Sequence, residues 1–328
     1  MWEKYLISRL LLFVLFLAFW VLIIQDIGYA YSKGKIYFSE PNKIYRANLN
    51  GTDVEEILTG IGWVTDLALD MKNRKIYWVS PPRIYRANLD GSNIEKIIEG
   101  EVQNNPPGKL SNDPFSIALD IEANKVYWGN NGPWDIRSVN NDGSNIEHIV
   151  IEDIILNNVL LRISIDAESL ELDVKEGKMY FVDSHQDNIA RANLDGSDYE
   201  HLGIFLVDPR GLTLDLQNRE MYWTQQARGI IRRASFDGDN KETLLTDLTI
   251  PYDIALDIHS REMYWTEGDN RKGIVSRIRR ANFDGSKVTE IYNGLNSIFA
   301  IALDVDRFYD VVPTTDRLTN IWASMKVK

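Results

Sequence analysis

Three carboxylates invite a chemical reading first. Asp66, Glu171 and Asp253 fall within the short apolar phrases DLALD, SLELD and DIALD. A carboxylate in such a setting is costly unless it is paired or holds a cation. Brought together, the three would suit Ca²⁺ or another divalent cation. Glu171 is the odd member of its own series, since the matching positions are Ala68, Ala118, Thr213, Ala255 and Ala302. A shift of register in that copy is the competing expectation.

Other catalytic equipment is missing from the sequence, and no catalytic residue is assigned. There are no cysteines, so a thiolate nucleophile, a thiolate zinc site and a disulfide framework are all excluded. The four histidines, His148, His185, His201 and His259, share no metal-ligand spacing. There is no Gly-x-Ser-x-Gly elbow, phosphate loop or dinucleotide fingerprint. Asn50-Gly51-Thr52 is a formal glycosylation acceptor. The formal net charge of -12 disfavours nucleic acid, which calls for clustered Lys and Arg.

A second set of residues has the character of a binding surface. Trp63, Phe115, Trp134, Arg210, Tyr252 and Phe299 combine aromatic and cationic side chains, the usual anchors of protein interfaces. Their expected ligand is a protein or peptide.

The elements that position both sets come from a repeat. Tyr37, Tyr77, Tyr127, Tyr180, Tyr222 and Tyr264 lie 40, 50, 53, 42 and 42 residues apart. Each sits in a phrase such as KIYW or EMYW. A phrase such as IYRANLDG follows, and one such as DIALD precedes the next copy. Periods of about 40–50 residues built from short strands indicate propeller blades.

Within a unit, the ALD phrase is apolar on both faces and reads as the innermost strand. The YW phrase is the second strand and the RAN phrase the third. Asp-Gly or Asn-Gly pairs such as Asn50-Gly51 and Asp90-Gly91 predict tight primed turns into a charged outer strand. The recurrence of Trp78, Trp128, Trp223 and Trp265 marks them as core. Arg46, Arg86, Arg191, Arg233 and Arg280 recur likewise and read as structural pairs.

The first copy, starting at Lys35, lacks an innermost strand, and the last ends with a spare one, Phe299 to Asp304. The expected fold is therefore all-β: a six-bladed propeller of four-stranded blades, closed by a C-terminal strand that completes the first blade. The links between blades share one face with the loops after the YW phrase. That face carries two long insertions, Glu99 to Asp113 and Ile151 to Glu168.

These linked phrases resemble the YWTD, or class B, repeats of the low-density lipoprotein receptor family across residues 35–304. The resemblance implies a six-bladed YWTD propeller that binds protein ligands, or packs within its own chain in a pH-dependent way, without catalysis. The four-letter signature is never complete, reading YFSE at Tyr37, YFVD at Tyr180 and YWTE at Tyr264.

Ahead of the repeat, Lys4 and Arg9 precede an apolar run from Leu10 to Ile24, and Gly28-Tyr29-Ala30 offers a small-x-small cleavage site. Residues 1–30 read either as a cleaved signal peptide or as a retained anchor, with membrane contact only through residues 10–24. The expected organisation is 1–30, a propeller over 31–304, and a tail over 305–328. Both readings of the first segment place the rest outside the cytoplasm: secreted, periplasmic or at the cell surface. The expected function is an extracytoplasmic, non-catalytic protein-binding module. The alternative, by analogy of fold, is a metal-dependent lactonase or esterase-like hydrolase centred on the channel.

Overall fold

The computed structural model describes residues 34–100, 113–131, 135–149, 153–156, 159–162, 165–268, 273 and 275–305. Lys35–Asp304 forms one compact unit. It contains six antiparallel four-stranded sheets and one separate two-stranded hairpin. Among the described residues there is no helix. The signal or anchor segment, Trp134 and residues 306–328 lie outside the described residues.

The innermost strands are Asp66–Asp70, Pro114–Asp120, Ala167–Asp173, Pro209–Asp215 and Pro251–Asp257 for blades 2 to 6. Ile301–Asp304 supplies the innermost strand of blade 1 by pairing with Lys35–Glu40, so that Tyr37 faces Ala302. Closure thus joins the two ends of the repeat region and leaves no innermost strand unpaired.

The second strands carry the core. All six show the same pattern, one half-buried residue followed by five buried ones, from Lys35–Glu40 to Glu262–Glu267. Trp78, Trp128, Trp223 and Trp265 are each 0% exposed, which settles them as core. In this position a strand has neighbours on both sides in its own sheet and adjacent blades above and below. Polar residues are tolerated only at its ends.

The repeated arginines are structural, as expected. Arg46, Arg86, Arg191 and Arg233 pair with Glu55, Glu95, Glu200 and Glu242 of their own outer strands. Three of them also cross to the next blade. Arg46, Arg86 and Arg191 donate to the carbonyls of Leu89, Asn141 and Phe236 at 3.0, 2.9 and 3.1 Å. A planar fork with several donors suits this double duty.

The Asx-Gly turns differ from expectation. In the first, the Gly51 amide donates to Asn48 O at 2.8 Å and the Asn48 amide to Thr52 O at 2.9 Å. Gly51 has φ +81° and Asn50 is not left-handed. This is a three-residue loop with a glycine bulge, not a two-residue primed turn. The reason is a side-chain acceptor: Asp90 Oδ1, for example, takes both the Ser92 amide and its hydroxyl, at 2.9 and 2.6 Å.

The second insertion also holds structure that its sequence did not announce. Asp153–Leu156 pairs with Val159–Arg162 as a hairpin, Ile154 opposite Leu161. The expected register shift at Glu171 is not found. Glu171 faces Tyr180 just as Ala68 faces Tyr77, and the irregularity in that blade falls earlier, between Ala167 and Ser169.

Candidate functional site

Residues at the start of the innermost strands gather around one mouth of the central channel. Each is held there by the strand behind it, whose apolar residues are locked between blades. Trp63 precedes the innermost strand of blade 2 and packs on Phe299 with the rings tilted by 41° and their centroids 4.6 Å apart. Phe299 meets the edge of Tyr252 at 5.2 Å. The guanidinium of Arg210 lies 5.8 Å from the Tyr252 ring. Arg210 then pairs with Glu168 at 2.8 Å and with Asp208 at 2.9 Å. A continuous arc of side chains therefore runs across blades 2, 1, 6, 5 and 4.

The structure thus unites Trp63, Phe299, Tyr252 and Arg210. Phe115 stands at the same strand position in blade 3, half-buried, and its carbonyl accepts the Thr65 hydroxyl at 2.6 Å. Sequence reasoning missed Glu168. The signal was available, because counting back from the last aspartate of each innermost strand aligns Glu168 with Phe115, Arg210, Tyr252 and Phe299. Trp63 is 40% exposed whereas Phe299 is 5% exposed, so the arc offers one aromatic edge to solvent over a buried support.

Beside the arc is a pocket of about 260 Å³, counting its open mouth, lined by Asp66, Glu168, Ser169, Arg210, Tyr252 and Asp253 among others. Two of the three predicted cation ligands therefore share one space. Each is already committed to backbone. Asp66 accepts the amides of Leu67 and Ile117, at 2.7 and 2.8 Å. Asp253 accepts those of Ile254 and Ile301, both at 2.8 Å. In each case the second amide belongs to the next blade. Ser116 and Ser169 make comparable links, to Ala167 O and from the Leu212 amide, at 2.7 and 3.0 Å.

Electrostatics in the pocket follow from burial. Asp66 and Asp253 keep a little exposed area, yet their carboxyl groups sit deep among other atoms. Burial pushes Asp253 up to about 7. Asp66 is raised well above the ordinary carboxylate range by burial first, then by the charge on Asp253, with Glu171 adding to it. Glu168 is raised by burial against the opposing pull of Arg210. Tyr252 is raised by burial and by the Glu168 charge. Among the described residues, no group of three or more His, Asp or Glu side chains is arranged to hold a metal ion.

Comparison with known proteins bears on this architecture. Residues 177–216 match the low-density lipoprotein receptor repeat class B. They span the three outer strands of blade 4 and the innermost strand of blade 5. The chain therefore carries a class B repeat within a ring of six four-stranded blades. Among solved structures, the chain is similar to one in a nidogen/laminin complex, with TM-score 0.66 and 19% identity over 83% of this chain and 98% of that one. It is also similar to a putative TolB from Agrobacterium tumefaciens, with TM-score 0.58 and 10% identity over 82% and 91% of the two chains. A streptogramin B lyase matches with TM-score 0.54 and 17% identity over 78% of each chain. At these identities the likenesses carry the fold alone, and they include both a chain of a protein complex and a lyase.

Proposed function

We propose that the chain is an extracytoplasmic protein-binding module whose partner docks over the channel mouth. The observation that carries this reading is the arc from Trp63 to Arg210. An exposed indole rests on a buried phenyl ring, with a tyrosine and an arginine beside it. Such rigid aromatic and guanidinium groups supply contact area at low entropic cost and are enriched among interface hot spots. The similarity in fold to a chain of a nidogen/laminin complex supports the reading, since that chain stands in a protein complex. The apolar run before the repeat supports export.

The pocket beside the arc sets the chemistry of the partner. Asp66, Glu168 and Asp253 face a single arginine there. A protein segment bringing a Lys or Arg side chain would meet carboxyl oxygens there and would favour their ionised form, against the burial that raises Asp66 and Asp253.

The test compares two variants as affinity baits from cells that make the protein. Trp63→Ala removes the exposed ring of the arc. Ile94→Ala removes an apolar side chain that is 52% exposed in a different part of the repeat. A partner held by the original chain and by Ile94→Ala, but lost by a folded Trp63→Ala, supports the reading. A partner held equally by all three places the interface elsewhere.

A further inference from the structure

We infer that the docking surface at the channel mouth, on whose reading this rests, continues outward along the link from blade 4 to blade 5. It takes an extended protein segment that carries an apolar residue and, within about five positions of it, a Lys or Arg. The outer strand of blade 4 is Glu200–Phe205, and the link runs from it to Pro209. Exposure alternates along this stretch: Leu202, Ile204 and Leu206 are buried, whereas Gly203, Phe205 and Val207 face solvent. Phe205 is 87% exposed, the most of any large hydrophobic among the described residues, and Val207 is 41% exposed. Residues two apart in extended chain share a side, so the pair forms one apolar step.

The other blades show that this step is not part of the repeat. Solvent-facing positions at the same end of the outer strand are Thr59 and Gly60 in blade 1, Glu99 in blade 2, Thr246 and Asp247 in blade 5, and Asn293 and Gly294 in blade 6. Polar residues there guard an open sheet edge. Blade 6 gives the sharpest contrast. Leu295 pairs with Ser276 as Phe205 pairs with Asn188, yet Leu295 is 6% exposed. The fold can therefore bury an apolar residue at this step, and Phe205 is turned outward instead. Adjoining apolar side chains left in water mark an interaction surface.

The link is held firmly and leads to the arc. The Leu206 amide donates to Asp187 O at 2.8 Å, and the Gln226 amide donates to Asp208 O at 2.9 Å. A backbone fixed in this way has little freedom left to lose on binding. Asp208 pairs with Arg210, the cationic end of the arc, at 2.9 Å. From Phe205 to Arg210 the chain takes five steps, which span about 17 Å at most. An extended segment crosses that distance with about five residues of its own. Charge selects what its far end carries. Asp187 and Asp208 flank the apolar step and Glu168 stands beyond, against the single guanidinium of Arg210. The formal net charge of -12 draws a basic segment toward the same face.

The experiment selects random dodecapeptides, displayed on phage, on the full chain, and titrates the synthesised winners by fluorescence anisotropy. The winners should share an apolar residue and a Lys or Arg within about five positions. Phe205→Ser should weaken them about tenfold or more, and Val207→Ser should weaken them less. Neither variant should move the thermal midpoint appreciably, because these side chains touch little of the fold. Winners that bind Phe205→Ser as well as the original chain, yet are lost by Trp63→Ala, would overturn the extension and leave the mouth as the docking site. Winners that need Phe205 but ignore Trp63→Ala would overturn the continuity with the mouth. Self-association in sedimentation that Phe205→Ser abolishes would overturn the peptide reading in favour of a second copy of this chain. A selection that enriches no peptide would overturn it as well.

Discussion

Asp253 Oδ2 accepts a hydrogen bond from the Ile301 amide at 2.8 Å, which ties blade 6 to the strand that closes blade 1. The other oxygen of the same carboxylate serves the Ile254 amide at 2.8 Å. Asp253→Ala leaves two donors without this acceptor at the ring's last junction. The expected loss is on the order of 2–4 kcal/mol, because an amide stranded away from water costs more than a typical hydrogen bond gains. Urea unfolding of the variant beside the original chain reads it directly. An unchanged midpoint would mean that water replaces the carboxylate.

The same carboxylate predicts a pH dependence. Asp253 is pushed up to about 7 by burial, against about 3.9 in an unfolded chain. The folded state therefore binds more protons across that window, and folding stability must fall as pH rises through it. The favourable contribution is fully present below about pH 4 and is lost as pH passes about 7. Asp66, raised in the same direction, adds to the slope. Urea midpoints should be higher at pH 5 than at pH 8, and Asp253→Asn should flatten the difference. A midpoint that climbs over this range, with Asp253→Asn unchanged, would contradict the assignment.

Ring closure predicts the effect of truncation. Removing residues 298–328 takes away Ile301–Asp304, the strand that pairs with Lys35–Glu40. The buried faces of Tyr37 and Phe38, both 0% exposed, then lose a neighbour and blade 1 gains an open inner edge. Far-ultraviolet circular dichroism against temperature should show loss of the cooperative transition of the whole domain. A transition merely shifted by a few degrees would show that five complete blades are self-sufficient.

Close approach at the channel predicts a further cost. A Cβ added at Gly211 would lie 2.8 Å from Asp253 Cα and 2.9 Å from Asp253 Oδ1. The obstacle is largely backbone, which cannot swing aside. Gly211→Ala should destabilise by about 1–3 kcal/mol, the usual range for overpacking a filled site. Combining it with Asp253→Ala should give less than the sum of the two costs, since both act at one contact. Full additivity in urea unfolding would separate them.

Much of this was legible in the sequence because the repeat supplies its own controls. A tryptophan that returns at the same step in four copies must pack, and all four are fully buried. The spare C-terminal ALD phrase required a strand with an empty place beside it, and Lys35–Glu40 provides one. The turns were misread because the pattern Asx-Gly does not reveal which residue starts the hydrogen-bonded loop. That depends on the aspartate side chain taking the amide and hydroxyl two residues on. Glu168 is hidden in the sequence because it stands at the end of an insertion that breaks the repeat spacing.

The sequence by itself determined the all-β class, the six blades, their strand order and the way the ring closes. These follow from local strand patterns and from counting, and each copy confirms the others. Only the tertiary structure decided which side chains meet. Trp63, Phe299, Tyr252, Arg210 and Glu168 are spread over 237 positions of the chain, from 63 to 299 inclusive, and become neighbours only because the ring brings five blades to one mouth. The commitment of Asp66 and Asp253 to amides of the next blade is likewise invisible in one dimension. It depends on the stagger between innermost strands, which is set by how whole blades pack rather than by any residue's own preference.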